Sequence, residues 1–274
     1  MPGSEIFVHP SAVVHPRARL APGVSVGPYC TVGEEVALGP NTRLESHVSI
    51  LGRTEIGADC RFAPFVSIGS DPQDVGYKGD PTEVKIGEGN VFKEFVTVHR
   101  GTVKGGGRTV VGDRNYLMAY THIAHDNQIG NEIVFTNAVT LAGHVTVGDF
   151  ALLSAFTGVH QFCRIGRYAF TGGFTVLTQD LPPFLKVAGM RPPRIFGLNS
   201  IGLRRRGFSR ERIDALRRMI KILYFAELNT TQAVERIQAE FPADPDRDEL
   251  LEFIQTSKRG ILKKTAAWDA DSES

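Results

Sequence analysis

The sequence predicts a mainly β protein: a solenoid of short parallel strands followed by a small α-helical domain. Two observations lead to this fold class. A hydrophobic residue returns every six positions through most of residues 1–190. The period ends at the proline-rich segment LPPFLKVAGMRPPRIFG, and hydrophobic residues then recur at helical spacing. We therefore expect a solenoid domain over residues 1–190 and a helical domain over residues 191–274.

The hydrophobic period has two registers, offset by one position and separated by a break at residues 101–108. A small or β-branched residue precedes the hydrophobic position by two, as at Val24 and Thr42. This pattern describes short strands joined by corners, and three strands, one for each hexapeptide, make one triangular coil. We expect a β-helix of about ten coils, stacked about 4.8 Å apart. The hydrophobic positions are Val14, Leu20, Val26, Val32, Leu38, Leu44, Ile50, Ile56, Phe62, Ile68, Ile86, Phe92, Val98, Val111, Leu117, Ile123, Ile129, Phe135, Leu141, Val147, Leu153, Val159, Ile165 and Leu177, interrupted by Thr171.

Glycine often follows the hydrophobic position, as at Gly27, Gly69 and Gly112. Glycine adopts the positive φ of a tight turn at little steric cost. We therefore expect these glycines to form the corners of the coils.

The cysteines and the charge balance restrict the class of protein. Cys30, Cys60 and Cys163 all lie in the small inward column, which favours a structural role over a nucleophilic one. Three cysteines are few and odd in number, as is typical of a reducing compartment. The 31 basic and 30 acidic residues argue against nucleic acid held by overall charge. With no apolar stretch of roughly 20 residues and no secretory signal pattern, we expect a cytoplasmic protein without an integral membrane segment.

Two polar segments leave the hexapeptide period. Residues 70–85 read SDPQDVGYKGDPTEVK, and residues 101–108 read GTVKGGGR. Loops that project from a solenoid commonly shape its binding site, although the second segment is equally well explained as a linker. GTVKGGGR lacks the spacing of a phosphate-binding loop.

The C-terminal region has the pattern of three helices. Ser209 is the expected N-cap of the first helix, whose hydrophobic face holds Ile213, Leu216, Ile220 and Leu223. A second helix is expected after Thr230 or Thr231, and a third near Asp246, which has capping-box spacing to Glu249.

Residues 191–222 of this region carry ten basic side chains against Glu211 and Asp214. The excess fits either a solvated helix face or a docking site for an acidic partner or a phosphate.

Four of the eight histidines lie between residues 122 and 160. Moving forward by one coil, or three hexapeptides, from His125 leads to Gly143, beside His144. A second coil leads to Gln161, beside His160. These residues therefore occupy one column of the β-helix or flank it. A cluster of this kind favours a functional site.

Two chemistries suit the cluster. Histidines on neighbouring coils can bind zinc, or one imidazole can act as a general base. Asp126 follows His125 directly, and an acidic neighbour that fixes the tautomer fits the second chemistry better. Gly143 offers a backbone N–H without a side chain, as an oxyanion site requires. His122 is expected nearby, but not in the same column.

Several motifs together resemble the acyl-[acyl-carrier-protein]–UDP-N-acetylglucosamine O-acyltransferase family of hexapeptide-repeat enzymes. The resemblance covers essentially the whole chain, and HIAHD and VHQFC are its most specific parts. It implies a left-handed parallel β-helix and a homotrimer with active sites between subunits. The motifs are GSDPQD at 69–74, VTVHRGT at 96–102, HIAHDNQIGN at 122–131, LAGHVTVGDFA at 141–151, VHQFCRIG at 159–166, TQDLPPF at 178–184 and GLRRRGFSRE at 202–211.

The resemblance also implies a reaction, the first step of lipid A biosynthesis. His125 would deprotonate the 3-hydroxyl of UDP-N-acetylglucosamine, which attacks a (3R)-3-hydroxyacyl thioester on acyl carrier protein. Asp126 would orient His125, and the Gly143 N–H would hold the oxyanion. No metal, other cofactor or covalent intermediate is implied, and the basic segment would meet the acidic carrier protein. The implied substrate-binding residues are Gln73, Asp74, His122, His144, His160, Gln161, Gly173, Asn199 and Arg205.

The chain departs from the family pattern at two places. Gly76 stands where many members have lysine, with Lys78 two positions later, and Ile201 stands at an acidic position. In the family, side chains that close the hydrocarbon groove set the acyl length; Gly172 and Gly173 leave room, which predicts a long chain. The alternatives are a related acyltransferase for another nucleotide sugar, such as a 3-amino analogue, a zinc enzyme similar to γ-carbonic anhydrases, and a noncatalytic scaffold.

Overall fold

The structure, a computed structural model, describes residues 5–263. Strands of two to five residues follow one another around three faces, and each face forms a sheet in which neighbouring strands belong to successive coils. Among the described strands all pairings are parallel except the last, between Leu185–Ala188 and Arg194–Leu198. The predicted fold class, a left-handed parallel β-helix followed by a small helical domain, is confirmed.

Within residues 5–263 the three sheets have eleven, nine and eight strands. Sheet A contains Phe7–Val8, Ser25–Val26, Arg43–Leu44, Arg61–Phe62, Val91–Phe92, Tyr116–Leu117, Val134–Phe135, Leu152–Leu153, Phe170–Thr171, Leu185–Ala188 and Arg194–Leu198. Sheet B contains Val13–Val14, Thr31–Val32, Ser49–Ile50, Ser67–Ser70, Thr97–His99, His122–Ile123, Thr140–Leu141, Gly158–Val159 and Val176–Leu177. Sheet C contains Arg19–Leu20, Val36–Leu38, Arg53–Ile56, Glu83–Ile86, Arg108–Val111, Gln128–Ile129, Thr146–Val147 and Arg164–Ile165.

The hydrophobic period forms the core of the β-helix. Equivalent positions stack from coil to coil, as Leu117 does on Phe135 and Phe135 on Leu153. All the predicted inward positions from Val26 onward are buried, and each large buried side chain contributes about 1.5–3 kcal/mol. Thr171, which interrupts the period, is also buried. Its hydroxyl is hydrogen-bonded to that of Thr157 at 2.8 Å, so the core contains no unpaired hydroxyl at this position.

The glycines that follow the hydrophobic positions do not form the corners, so that prediction is wrong for nearly all of them. Positive φ angles belong mainly to other residues, such as Asp126 at 61° and His144 at 61°, and in the glycine column only to Gly69. The glycines serve a different purpose. A Cβ on Gly27 would stand 2.7 Å from the carbonyl carbon of Glu45 on the next coil. Close approach of successive backbones therefore explains this column.

The two predicted excursions are loops that end in strands of sheet C. The first leaves sheet B at Ser70 and enters the strand Glu83–Ile86. The second leaves at His99, forms a short 3-10 helix at Val103–Gly105 and enters the strand Arg108–Val111. Both loops therefore stand at the edge between sheets B and C.

Up to residue 263, four helices follow the β-helix: α1 at Ser200–Arg205, α2 at Arg210–Phe225, α3 at Thr230–Glu240 and α4 at Pro245–Gln255. Ser209 caps α2, as predicted, and the expected second helix is α3, capped by Asn229 in a capping box with Gln232. The third expected helix is α4, whose N-cap is Asp244 and not Asp246.

Asp246 instead joins the helices to the β-helix. Its carboxylate, almost completely buried, accepts hydrogen bonds from Arg212 of α2 and from Arg167 of the last coils, which also pairs with Glu249. Strand pairing in sheet A continues to Leu198, beyond the expected domain boundary at residue 190. The two-domain division stays a prediction, and its ends at residues 1–4 and 264–274 lie outside the described residues.

Candidate active site

His125 and Gly143 lie on adjacent coils at the corner between sheets B and C. The His144 N–H donates to the His125 carbonyl at 3.0 Å, which fixes the two coils against each other. The imidazole of His125 covers Gly143, and a Cβ on this glycine would stand 2.8 Å from Nε2. Among the described residues no acceptor takes the Gly143 N–H. The corner thus places a basic nitrogen beside an unoccupied backbone donor.

Asp126 holds the imidazole from the other side. Its Oδ2 lies 2.8 Å from Nδ1 of His125, and its side chain is completely shielded from solvent. Since a carboxylate only accepts, Nδ1 carries the proton and Nε2 is left with its lone pair. The Asp126 N–H donates to the hydroxyl of Thr109 at 2.8 Å, which supports the left-handed corner. This arrangement can perform general-base catalysis.

His122 and His99 form a second pair on sheet B. Nδ1 of His122 lies 2.8 Å from the hydroxyl of Thr97, and the two imidazoles meet edge to face at 5.3 Å. Burial, with smaller contributions from His99 and His125, lowers the pKa of His122 to about 4. His122 is therefore neutral at neutral pH, suited to hydrogen bonding and not to carrying charge.

His144 stands across from His125. The two rings meet edge to face at 5.1 Å, and His144 stacks on Phe162 of the next coil at 4.5 Å. Partial burial lowers the pKa of His144, although Asp126 and, to a smaller extent, Asp74 act to raise it. Asp74 lies on the loop after Ser70, so this smaller contribution to the pKa of His144 comes from that loop.

That loop is fastened by two residues of the following coil. Nδ1 of His99 donates to the Asp71 carbonyl at 2.6 Å, and Arg100 pairs with the Asp71 carboxylate and donates to the Tyr77 hydroxyl. Gln73 is exposed, while the Asp74 carboxylate accepts the Gly76 N–H at 2.8 Å. The predicted sugar-binding pair therefore lies on an anchored loop. Gly76 itself is exposed and leaves the lysine position of the family without a side chain.

His160, Gln161 and Gly173 continue the site toward the C-terminal coils. His160 and Gln161 are exposed, and no hydrogen bond within residues 5–263 joins either of them to His125. Gly173 is also exposed, and a Cβ there would meet only the Ala155 carbonyl at 3.5 Å. The expectation that Gly172 leaves room is wrong, because a Cβ there would lie 2.6 Å from that of Ala188. Of these two glycines, only Gly173 has free space where a side chain would stand.

Asn199 and Arg205 lie outside this cluster. Asn199 directly precedes helix α1, and Arg205 is its last residue. Asn199 caps α1 through Gly202 and donates from Nδ2 to the Tyr168 carbonyl at 2.9 Å, so its amide already has structural partners. Arg205 is exposed, as is Ile201, which presents an apolar side chain at the acidic position of the family.

The basic segment is partly neutralised by acidic residues elsewhere in the fold. Arg206 pairs with Glu132, and Arg212 pairs with Asp246. Within the described residues, four basic side chains of the segment have neither an ion pair nor an aromatic ring beneath them: Arg191, Arg204, Arg205 and Lys221.

Metal binding is the competing chemistry for the central cluster. One ligand atom from each of His125, Asp126 and His144 lies within 4.8 Å of the other two, a spacing compatible with an ion. The cysteines offer no such alternative, because all three are buried and burial raises the pKa of Cys60 and Cys163 to about 11.

Sequence reasoning missed Thr97 and His99, and also Thr102, which hydrogen-bonds the carboxylate of Asp126, as parts of the site. These residues lie on the coil before that of His122 and His125, and the glycine-rich excursion makes this coil longer than three hexapeptides. The pairing of Thr97 with His122 shows the longer separation. Projection by three regular hexapeptides therefore could not reach them. The signal was present in the phase shift of the hydrophobic period, since Val98 pairs with Ile123 across the same insertion.

Comparisons with known proteins agree with this geometry. The second domain of the UDP N-acetylglucosamine O-acyltransferase family model matches residues 180–262. The chain is 49% identical to the acyl-[acyl-carrier-protein]–UDP-N-acetylglucosamine O-acyltransferase of Thermodesulfovibrio yellowstonii, over 83% of this chain and 88% of that protein. It is 44% identical to the enzyme of the same name from Syntrophobacter fumaroxidans, over 93% and 99% of the two chains.

A solved structure gives the same result. The crystal structure of the Francisella novicida UDP-N-acetylglucosamine acyltransferase superimposes with a TM-score of 0.92 at 41% identity, covering 95% of each chain. The identity and the coverage together extend through both the β-helix and the helices. The chain belongs to the acyl-[acyl-carrier-protein]–UDP-N-acetylglucosamine O-acyltransferase family.

Proposed function

We propose that this protein transfers a (3R)-3-hydroxyacyl chain from acyl carrier protein to the 3-hydroxyl of UDP-N-acetylglucosamine, the first step of lipid A biosynthesis. Membership of the family supports the reaction. The observation that carries the mechanism is the position of His125 Nε2 directly over Gly143, whose N–H is unoccupied. A base and an oxyanion donor at one point are what acyl transfer to a hydroxyl requires.

In the proposed mechanism His125 Nε2 removes the proton of the sugar hydroxyl while the oxygen attacks the thioester carbonyl. The carbonyl oxygen becomes an oxyanion and accepts the Gly143 N–H. Asp126 accepts the hydrogen bond from Nδ1–H of His125 throughout, which keeps the tautomer and stabilises the imidazolium. Collapse of the intermediate breaks the carbon–sulfur bond, and the carrier thiol leaves with the proton returned by His125.

The remaining predicted residues would bind the substrates. Neutral His122, together with His144, would hydrogen-bond the sugar, and Gln73 and Asp74 would reach it from the anchored loop. His160 and Gln161 would extend the site toward the acyl chain, which would pass Gly173. Asn199 and Arg205 would contact the nucleotide end. The open surface at Gly173 supports a long acyl chain.

Acyl carrier protein is acidic, and its proposed docking surface is the basic segment. Arg191, Arg204 and Lys221 would meet it, while Arg205 contacts the nucleotide, because charges already neutralised by Glu132 and Asp246 contribute little attraction. This restricts the proposed docking surface to the part of residues 191–222 that carries these three cations.

A homotrimer in the cytoplasm is proposed as the functional form. An exposed ladder of stacked rings runs along the edge between sheets A and B and supports burial against another copy. The rings are Tyr29, His47, Phe65, Phe95 and Tyr120, with Phe156 and Phe174 further along. None of the helices in residues 5–263 has the length and hydrophobicity needed to cross a bilayer.

The test is a transfer assay with purified protein, UDP-N-acetylglucosamine and 3-hydroxyacyl carrier proteins of several chain lengths, beside His125→Ala. We expect transfer by the wild type and a loss of roughly 10²–10⁴-fold in the variant. Absence of transfer from a folded trimer would mean that the acceptor is wrong, and a 3-amino sugar nucleotide would be tested next. Stoichiometric zinc whose removal abolishes activity would favour the metal chemistry of His125, Asp126 and His144 instead.

A further inference from the structure

The glycine-rich loop at residues 101–108 closes over the carboxylate of Asp126. It is short and folded, with a 3-10 helix at Val103–Gly105. Its base is closed by the Gly107 N–H, which donates to the Thr102 carbonyl at 2.8 Å. From its sequence alone, this segment is equally consistent with a linker and with a loop that shapes a binding site. Its contacts are instead directed at the residue that holds His125.

Thr102 gives Asp126 two hydrogen bonds, one to each oxygen. Its backbone N–H donates to Oδ1 at 2.8 Å, and its hydroxyl donates to Oδ2 at 2.7 Å. The hydroxyl in turn accepts the Gly105 N–H at 3.2 Å, which fixes the direction of its proton. Thr102 is buried, so these bonds are protected from water. Together they determine the rotation of the carboxylate about its Cβ–Cγ bond.

Gly105 closes the remaining space around the carboxylate. A Cβ on this residue would collide with Cγ and with both oxygens of Asp126. The φ of Gly105 is not in the left-handed region, so alanine is acceptable to the backbone there and only the contact forbids it. Gly106 differs, because its φ is 95° and nothing lies near its missing side chain.

We infer that Thr102 is a positioning residue for acyl transfer: it holds Asp126 so that Oδ2 faces Nδ1 of His125, and Gly105 provides the space. This inference rests on the proposed function, in which the Nδ1–H tautomer leaves Nε2 as the base. A carboxylate free to rotate would exchange that bond for others and allow the opposite tautomer. The loop therefore acts on the reaction through Asp126 without contacting the reacting atoms.

The first test compares Thr102→Val with Thr102→Ser. The valine variant loses the hydroxyl bond to Oδ2 and keeps the backbone bond to Oδ1. We expect kcat to fall on the order of 10–10²-fold with KM values unchanged, and serine to restore it. Thr42→Val is the matched control, since it removes a buried hydroxyl bond of 2.9 Å to the Gly57 carbonyl, distant from Asp126. An unchanged kcat in Thr102→Val would overturn the inference.

The second test asks whether the effect passes through Asp126. In the Asp126→Ala background the Thr102→Val substitution should produce no further loss of kcat, because there is no carboxylate left to orient. A loss of the same factor in both backgrounds would show a role independent of Asp126 and contradict the inference. Gly105→Ala should lower kcat as Thr102→Val does, whereas Gly106→Asn, which tolerates the left-handed conformation, should not.

The third readout does not need activity. Nuclear magnetic resonance of histidine labelled with ¹⁵N reports which ring nitrogen of His125 carries the proton. We expect Nδ1–H in the wild type and in Thr42→Val, and a mixture of tautomers in Thr102→Val and Gly105→Ala. If the wild type fails to transfer an acyl chain, the proposed function fails, yet this measurement still decides whether Thr102 sets the tautomer. An identical tautomer in all four proteins would refute the inference.

Discussion

The ring of His125 covers Gly143 so closely that the Nε2 atom would lie 2.8 Å from a Cβ on the glycine. Gly143→Ala should therefore displace the imidazole and lower kcat on the order of 10²-fold, since a misplacement of about 1 Å has that effect. Gly158→Ala is the control, because nothing lies within 4 Å of the added Cβ. Full activity in Gly143→Ala would mean that His125 does not act from this position.

Asp126→Asn should lower kcat by roughly 10²–10⁴-fold while the protein stays folded. The amide keeps the shape of the carboxylate, but its NH₂ group must take the place of one oxygen. With the Thr102 N–H occupying the amide oxygen, NH₂ faces Nδ1 of His125 and imposes the tautomer whose Nε2 carries the proton. Transfer rates and a thermal unfolding curve check this. If the folded fraction of the variant fell by the same factor as its transfer rate, the prediction would be contradicted.

His122 should make the folded protein less stable at low pH. Burial lowers its pKa from 6.5 to about 4, so the unfolded chain binds a proton between these values and the folded chain does not. Stability conferred by neutral His122 is complete above the unfolded pKa and is lost as pH falls through this window, by on the order of 2 kcal/mol.

His122→Gln should flatten this pH dependence, and thermal midpoints at pH 7.5 and pH 5 measure it. The exposed His15 offers the control, His15→Gln, which should leave the slope as in the wild type. An unchanged slope in His122→Gln would show that other groups cause the acid sensitivity.

Asp246→Asn should loosen the helices from the β-helix. Loss of the buried charge leaves Arg167 and Arg212 without their shared partner. We expect the free energy of unfolding to fall by about 2 kcal/mol, and not by more, because both guanidinium groups remain partly exposed to solvent. Limited proteolysis and the thermal midpoint report the change. Asp248→Asn, at an exposed carboxylate on the same helix, should have no comparable effect.

The acyl chain length should respond to Gly173. The wild type is expected to prefer long 3-hydroxyacyl donors, and Gly173→Leu should shift the preference to shorter ones, because a side chain there projects into open space beside the Ala155 carbonyl. Transfer rates across a series of carrier proteins measure this. A short-chain preference in the wild type would refute the prediction.

The periodic part of the fold could be predicted from the sequence because each coil repeats the same requirement. A hydrophobic side chain must fill the interior at every sixth position, and Ile123 and Leu141 satisfy it as visibly in the sequence as in the structure. The column of His125 and Gly143 follows from the same arithmetic. The corner geometry could not be predicted in this way. Residues such as Asp126 and His144 adopt the positive φ of the corners, so no glycine marks these positions in the sequence.

The contacts made across insertions could not be predicted. The hold of Thr102 on Asp126 depends on how an irregular loop folds back, and no period describes that path. Similarly, Asp246 has the spacing of a capping residue but is used for long-range ion pairs, which local sequence does not reveal. Tertiary contacts decided both cases.

The distance between the base and the oxyanion donor is set by the repeat of the backbone itself. His125 and Gly143 occupy equivalent places on successive turns, so their separation equals the spacing between neighbouring strands of the solenoid, about 4.8 Å. Whole turns added or removed before Ser67 would leave this spacing, and the loop that carries Gln73 and Asp74, unchanged. One residue inserted between positions 126 and 143 would instead rotate the glycine away. Such a scaffold can vary in length during evolution while the site itself tolerates no change in register.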